Sequence, residues 1–227
     1  VSGQREDKPG SLVRGDAEIA VRPRARYVGR GAHKLAAALS AFGIDPDGRV
    51  CVDVGASTGG FTDVLLQHGA RRVYAVDVGR GQLAWSLRRH PRVVCLERTD
   101  IRAVASLPEP IDLAVVDVAF ISLRLVLPAV RRLLTDAGLS IALVKPQFEA
   151  GRGQVERGGL VTDAAVHRRV LTEVLTWATA SGWTVAGSVR SPIAGATGNQ
   201  EFLVLLAMPG AARPDVSVAD AVDGVLG

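Results

Sequence analysis

VCVDVGASTGGFTDVLLQHGARRVYAVDVG, residues 50–79, decides the fold. An apolar run ends at Asp53 and leads into Gly55-Ala56-Ser57-Thr58-Gly59-Gly60. An amphipathic segment follows, and then a second apolar run ending at Asp77. That order is strand, glycine turn, helix, strand: one βαβ unit with an acid at the end of each strand. Glycines let the backbone approach a ligand closely, and the helix that follows offers free N–H groups and a positive dipole end to an anion. Asp77 stands 24 residues beyond Asp53, where an acid holds the two hydroxyls of a ribose.

The glycine spacing selects the nucleotide. Dinucleotide binders use G-x-G-x-x-G, whereas here the order is G-x-x-x-G-G. This turn suits a ligand with a carboxylate and an amine better than one with a pyrophosphate. S-adenosylmethionine (SAM) is such a ligand, and the stretch resembles the corresponding turn of SAM-dependent methyltransferases. The competing reading is a flavodoxin-like or NAD domain with a degenerate loop. The candidate cofactor residues are Asp53, Gly55, Ser57, Thr58, Gly59, Gly60 and Phe61 around the turn. Asp77 with Val78, Asp100 with Ile101, and Asp117 join them from later strand ends. Asp100 is suited to hold an adenine amine, or simply to cap the helix that begins at Ile101.

The strand–helix alternation continues past this unit. A helix is expected from Gly31 to Phe42, with strands at 50–54, 72–76, 93–96, 111–116 and 139–144. Further helices are expected near 59–68, 82–89, 122–135 and 163–181. Two final strands, 183–190 and 201–207, follow one another with no helix between them. Such alternation means an α/β fold with a mostly parallel seven-stranded sheet, helices on both faces and an antiparallel edge, a shape that resembles the Rossmann-like sheet of class I SAM-dependent methyltransferases. The expected organisation is a short N-terminal piece (1–21), a basic linker (22–30), the main domain (31–208) and a tail (209–227).

Composition narrows the class. The chain has 227 residues, of which 48% are hydrophobic, enough for one sizeable core. No apolar run reaches the ~18 residues of a membrane span, and the polar start VSGQREDKPGSLVRGD lacks a signal-peptide core. Cys51 and Cys95 both lie in apolar runs, so they are expected to be buried, reduced thiols of a cytoplasmic protein. No His, Cys or acidic cluster has metal-ligand spacing, and no metal is expected.

The charge is distributed unevenly. Arg22, Arg24, Arg26, Arg30 and Lys34 lie together with no acid among them, the footprint of a polyanionic partner. Of 27 basic residues, 24 are Arg and only Lys8, Lys34 and Lys145 are Lys. A chain this biased toward Arg keeps lysine where a compact ammonium that can lose its proton is useful. Lys145 ends the fifth strand and Asp117 the fourth, where the ligands of open α/β sheets bind. A plain structural ion pair is the alternative for these two.

Five segments carry a resemblance: RGAHKL (30–35), DVGASTGGFTD (53–63), DVAFISL (117–123), KPQFEAG (145–151) and SPIAGATGNQEFL (191–203). Together they resemble the TlyA-type ribosomal RNA 2′-O-methyltransferases, also called haemolysins, within the wider FtsJ-like group. The resemblance runs from about residue 10 to 207. It implies an N-terminal S4 RNA-binding domain, of which residues 1–21 resemble only the end. Ala119 departs from the pattern, which more often has Ser there.

The resemblance also implies a catalytic Lys-Asp-Lys-Glu set, matched here by Lys34, Asp117, Lys145 and Glu201. The implied activity is SAM-dependent methylation of ribose 2′-hydroxyls in ribosomal RNA, at cytidines of both ribosomal subunits. In that chemistry Lys145 is the expected base, favoured by partial desolvation and by Lys34 nearby and opposed by the two acids. Phe120 is expected to stack on a splayed base. Residues 146–160, with Arg152 and Arg157, are expected to form a mobile RNA-contacting loop. The rival functions are a small-molecule or protein methyltransferase on the same fold, against which the basic 22–34 segment and the paired lysines speak, a non-catalytic RNA-binding module and a membrane-active haemolysin. For the latter the sequence offers no apolar span and no basic amphipathic helix with an aromatic face.

Overall fold

The structure, a computed structural model, describes residues 12–17 and 27–227, apart from the side chain of Arg152. The expected N-terminal piece is described only at 12–17, and Arg22, Arg24 and Arg26 lie outside the described residues.

Helix α1 (Ala32–Phe42) comes first and stops at Gly43, whose left-handed φ of 59° lets its N–H reach back to the last carbonyls. The alternating part follows as β1 (Val50–Val54), α2 (Gly60–Gln67), β2 (Arg72–Asp77), α3 (Trp85–Arg88), β3 (Val93–Glu97) and β4 (Ile111–Val116). Then come α4 (Leu123–Leu133), β5 (Leu134–Val144), α5 (Pro146–Glu149), α6 (Ala164–Ala180), β6 (Thr184–Arg190), β7 (Phe202–Ala207) and α7 (Val218–Leu226). Ser122, Asp163 and Ser217 cap α4, α6 and α7 by accepting from N–H groups of the first turn.

All seven strands form one sheet, in the order β3-β2-β1-β4-β5-β7-β6. The first five run parallel, and β7 is antiparallel to both its neighbours. This is the mostly parallel sheet with an antiparallel edge pair expected from the strand count. Strands β1, β4 and β7 are buried almost throughout, because helices cover both faces. One face packs Leu35, Leu39, Phe61, Val64 and Leu65 of α1 and α2. The other packs Leu123, Leu127 and Val130 of α4 with Val170, Leu171 and Leu175 of α6.

Three elements depart from the sequence reading. Helix α4 stops at Leu133 and β5 begins at once, with Leu134 opposite Ile111 and a register shift before Leu113 pairs Leu139. Helical composition therefore ran past the point where sheet pairing takes over. Helix α3 is a single turn, bracketed by Gly81 and Pro91. Cys95 is half-buried, since β3 is an edge strand, whereas Cys51 is fully buried and its thiol is pushed up to about 12 by desolvation. The C-terminal segment also packs: Ala221, Val222 and Val225 of α7 are buried, and Arg190 donates to the Val225 carbonyl.

Candidate active site

Strand register brings the strand-end residues together. Asp53, Asp77, Asp117 and Lys145 stand at or just beyond the carboxyl ends of β1, β2, β4 and β5. Val144 pairs Phe202, so Lys145 and Glu201 sit side by side where β5 ends and antiparallel β7 begins.

The glycine turn shapes a cleft there. At Gly55, with φ of 85°, a side chain would collide with the Asp117 carbonyl 2.3 Å away, so the turn and the end of β4 touch backbone to backbone. Gly60 approaches Ala32 N in the same way, and the Val28 N–H donates to Asp63 at 2.9 Å. Residues 27–31 are thereby docked on α2. A small cavity of about 130 Å³ forms between Gly31, Gly55, Ser57, Thr58, Phe61 and Asp117. It meets a larger cleft of about 540 Å³ that shares Gly55, Ser57 and Asp117.

The larger cleft is lined by Asp77, Val78, Asp100, Ile101 and Phe120, all selected from sequence, and by Gln82 and Thr99, which were not. Asp77 is oriented by the N–H groups of Ser57 and Gly79, each at 2.7 Å. Each oxygen of that carboxylate keeps accepting capacity for a hydroxyl. Asp100 caps the 3₁₀ turn Ile101–Ala103 and is held by the Arg102 guanidinium, which keeps its carboxyl below the usual range. Its capping role is therefore on view, and Arg102 competes for the oxygens an adenine amine would need.

Two turn residues do other work than expected. Gly59, at φ of 96°, faces Leu87 and Leu83, so its missing side chain admits α3 packing. Asp53 is completely buried, accepts from the Thr62 hydroxyl at 2.7 Å, and is raised to about 7 by desolvation. Its Oδ1 has no hydrogen-bond donor among the described residues. Thr62 was missed in the sequence because a threonine in a helix's first turn carries no signal of its partner.

The two lysines each meet an acid. Lys34, 8% exposed, is ion-paired with Glu201, 2% exposed. Lys145 Nζ lies 2.6 Å from Asp117 Oδ1. Gly195 packs against Glu201, and any side chain at 195 would strike its carboxylate. The lysine-poor composition and the strand-end rule pointed to Lys145 and Asp117, but the Lys34–Glu201 pairing spans 167 positions and is a product of folding.

Beside this set the chain presents aromatic surface. Phe120 is 91% exposed and adopts φ of 62°, rare for a bulky residue. Its ring lies 5.0 Å from that of Phe148, which in turn sits 5.9 Å from Lys145 Nζ. Glu149 ties the two segments together by accepting from the Ser122 hydroxyl and the Leu123 N–H. Arg30 and Arg157 are exposed. The segment expected to be a mobile loop contains α5 and is held at its far end. Buried Asn199 accepts from the Val161 N–H and donates to the Gly159 carbonyl.

The pockets fit SAM: a small cavity at a helix N-terminus, bordered by Asp117, for a zwitterion, and a cleft with an oriented ribose acid. Among the described residues no helix is long and apolar enough to cross a membrane.

Comparison with known proteins agrees with this geometry. The profile of the FtsJ-like methyltransferases matches residues 27–208. The chain is 51% identical over 184 residues to the Mycobacterium tuberculosis 16S/23S rRNA (cytidine-2′-O)-methyltransferase TlyA, covering 79% of this chain and 68% of that protein. It is 38% identical over 206 residues to hemolysin A of Brachyspira hyodysenteriae, covering 89% and 86%. A solved structure of a Lactococcus lactis protein superimposes with a TM-score of 0.82 at 44% identity, covering 88% of this chain and 99% of that one. NodS of Bradyrhizobium japonicum, an N-methyltransferase solved with S-adenosyl-L-homocysteine, shares the fold at a TM-score of 0.56 and 19% identity. With its glycine turn, its strand-end acids and its strand order in agreement, the chain belongs to the FtsJ-like methyltransferase family.

Proposed function

We propose that this protein methylates the 2′-hydroxyl of cytidines in ribosomal RNA, drawing the methyl group from SAM and working on ribosomal subunits in the cytoplasm. The observation that carries the reading is the pair of lysine–carboxylate contacts, Lys145–Asp117 and Lys34–Glu201, the first of which borders the nucleotide cleft through Asp117. The names of the relatives supply the substrate class.

SAM, when bound, supplies an electrophilic methyl group on a sulfonium sulfur. The residues that would hold it are Gly55, Ser57, Thr58, Phe61 and Asp117 at its amino-acid end, and Asp77, Val78, Asp100 and Ile101 along its nucleoside. A ribose hydroxyl is a weak nucleophile and must lose its proton as it attacks. Lys145 Nζ, positioned by Asp117, is the group that receives that proton after giving up one of its own to solvent. Lys34, held by Glu201, orients the hydroxyl and its neighbours. Phe120, backed by Phe148, offers a face on which the splayed base stacks. Arg30 and Arg157 meet phosphates, in series with the basic segment that precedes them.

The test is methyl transfer from tritiated SAM to rRNA. General-base help amounts to ~10²–10⁴-fold. Lys145→Arg keeps the charge but has no releasable proton, so transfer is expected to fall by about that factor with SAM affinity within a few fold. Near-wild-type transfer by Lys145→Arg would remove the base role. An unreactive wild-type chain that binds SAM would point to the non-catalytic RNA-binding reading.

A further inference from the structure

A second cavity, of about 310 Å³, lies away from this site between α4 and α6. Its walls are Pro128, Arg131 and Arg132 of α4, Trp177 of α6, and Ser181 and Trp183 in the turn before β6. Trp183 immediately precedes Thr184, which pairs Ala207, which in turn pairs Leu139 near the start of the β5–β4 ladder. The cavity is therefore at the opposite end of the sheet from Asp77, Asp117 and Lys145, and no step of the methyl transfer uses it.

Its polar chemistry is one-sided. The lining side chains bring guanidinium groups, indole N–H groups and one hydroxyl, and no carboxylate. Among the described residues, Arg131 and Arg132 each make only a long bond, 3.4 Å, to the carbonyls of Gly182 and Arg102 respectively. The Arg131 Nε and the Trp183 Nε1 are buried and find no acceptor among the described residues. Trp183 itself is only 3% exposed. Neighbouring acid is already engaged: Glu173 on α6 pairs with Arg124 and Arg169.

We infer that this cavity binds a nucleotide, with its phosphate on the guanidinium groups of Arg131 and Arg132 and its base against the Trp177 ring. A donor-rich, carboxylate-free site selects an oxyanion, and two guanidinium groups suit phosphate. The indole surfaces and Pro128 add a flat apolar wall, and ring stacking tolerates any base. The nucleotide comes either from an RNA strand or from the free pool. The inference stands on the cavity alone and does not depend on the methylation reading.

The chain provides its own probe, since two of its three tryptophans line the cavity. With Trp85→Phe as background, and saturating SAM present, fluorescence would be titrated with CMP, with inorganic phosphate and with a single-stranded oligocytidylate. A saturable change with CMP or the oligonucleotide is expected, weakened at least ~10-fold by Arg132→Gln, as for loss of a charge-assisted contact. Tighter, salt-sensitive binding of the oligonucleotide would identify RNA as the source, and equal or tighter binding of CMP a free nucleotide. No saturable change with any ligand would overturn the inference, as would identical curves for Arg132→Gln. Phosphate binding as well as CMP would overturn the nucleotide assignment. Unchanged SAM affinity in Arg132→Gln confirms folding, because the exposed Arg132 lies far from that cleft.

Discussion

Asp53 is the residue whose protonation the fold alters most visibly. In the unfolded chain its carboxyl ionises near the ordinary value of 3.8, but buried beneath the glycine turn it holds its proton up to about 7. Folding therefore takes up a proton across that window, and stability falls as pH rises from about 4 to about 7, then levels. Asp53→Asn removes the titration. Its melting temperature is expected to exceed that of wild type at pH 8 and to match it near pH 4, and parallel pH curves for the two would refute this. Lys34 poses the opposite case, a buried charge whose partner is present. Lys34→Ala leaves Glu201 buried and unpaired, at a cost of about 3–5 kcal/mol, whereas the double variant with Glu201→Gln recovers much of it. Urea unfolding of the three variants measures the coupling. Additive losses would show that the pair is not mutually compensating.

Among the elements, the segment between α5 and α6 shows how side chains pin a glycine-rich stretch. Gly158 and Gly159 both take positive φ, and the turn is fastened by Asn199, two residues before Glu201. His167 of α6 adds a bond to the Val161 carbonyl at 2.8 Å. Asn199→Ala would free Gly159 and Val161 while leaving the sheet intact. Cleavage by trypsin at Arg152 or Arg157 is expected to speed up several-fold in this variant, with SAM affinity preserved. Unchanged cleavage would mean that the turn holds itself. The same logic links Phe120 to Glu149: a bulky residue in the left-handed region persists only where its surroundings fix it, and Glu149 clamps Ser122 and Leu123 just beyond.

At the scale of the molecule, the sheet separates the methyl-transfer end from the end that holds the α4–α6 cavity. Parallel strands send their carboxyl ends, with Asp117 and Lys145, to one rim, where Glu201 enters at the start of antiparallel β7 and α1 brings Lys34 to it. The edge strand β6 is closed off by α7, which also meets α6 through Arg168 and Asp223. Deleting residues 218–227 uncovers apolar surface on β6 and α6 that Ala221, Val222 and Val225 now cover. The truncated chain is expected to melt several degrees lower and to aggregate more readily, with the SAM cleft unaffected. Calorimetry beside SAM titration checks both halves. An unchanged melting temperature would show that α7 is dispensable.

The sequence by itself determined the βαβ unit, the strand order of business from Val50 to Val144, and the acids at the strand ends. Periodicity and glycine spacing are local, and a buried parallel strand reads as an apolar run wherever it lies. It also marked Lys34 and Lys145 through their rarity, and the five family segments gave the remaining candidates. Only the tertiary structure decided what those residues touch. Glu201 meets Lys34 because β7 runs antiparallel beside β5, Asp53 loses water because α2 covers it, and Asp100 turns to Arg102. The α4–α6 cavity joins residues more than 40 positions apart, from Pro128 to Trp183, none of which forms a motif along the chain. Pairing and desolvation depend on which surfaces meet, and a linear pattern does not contain that.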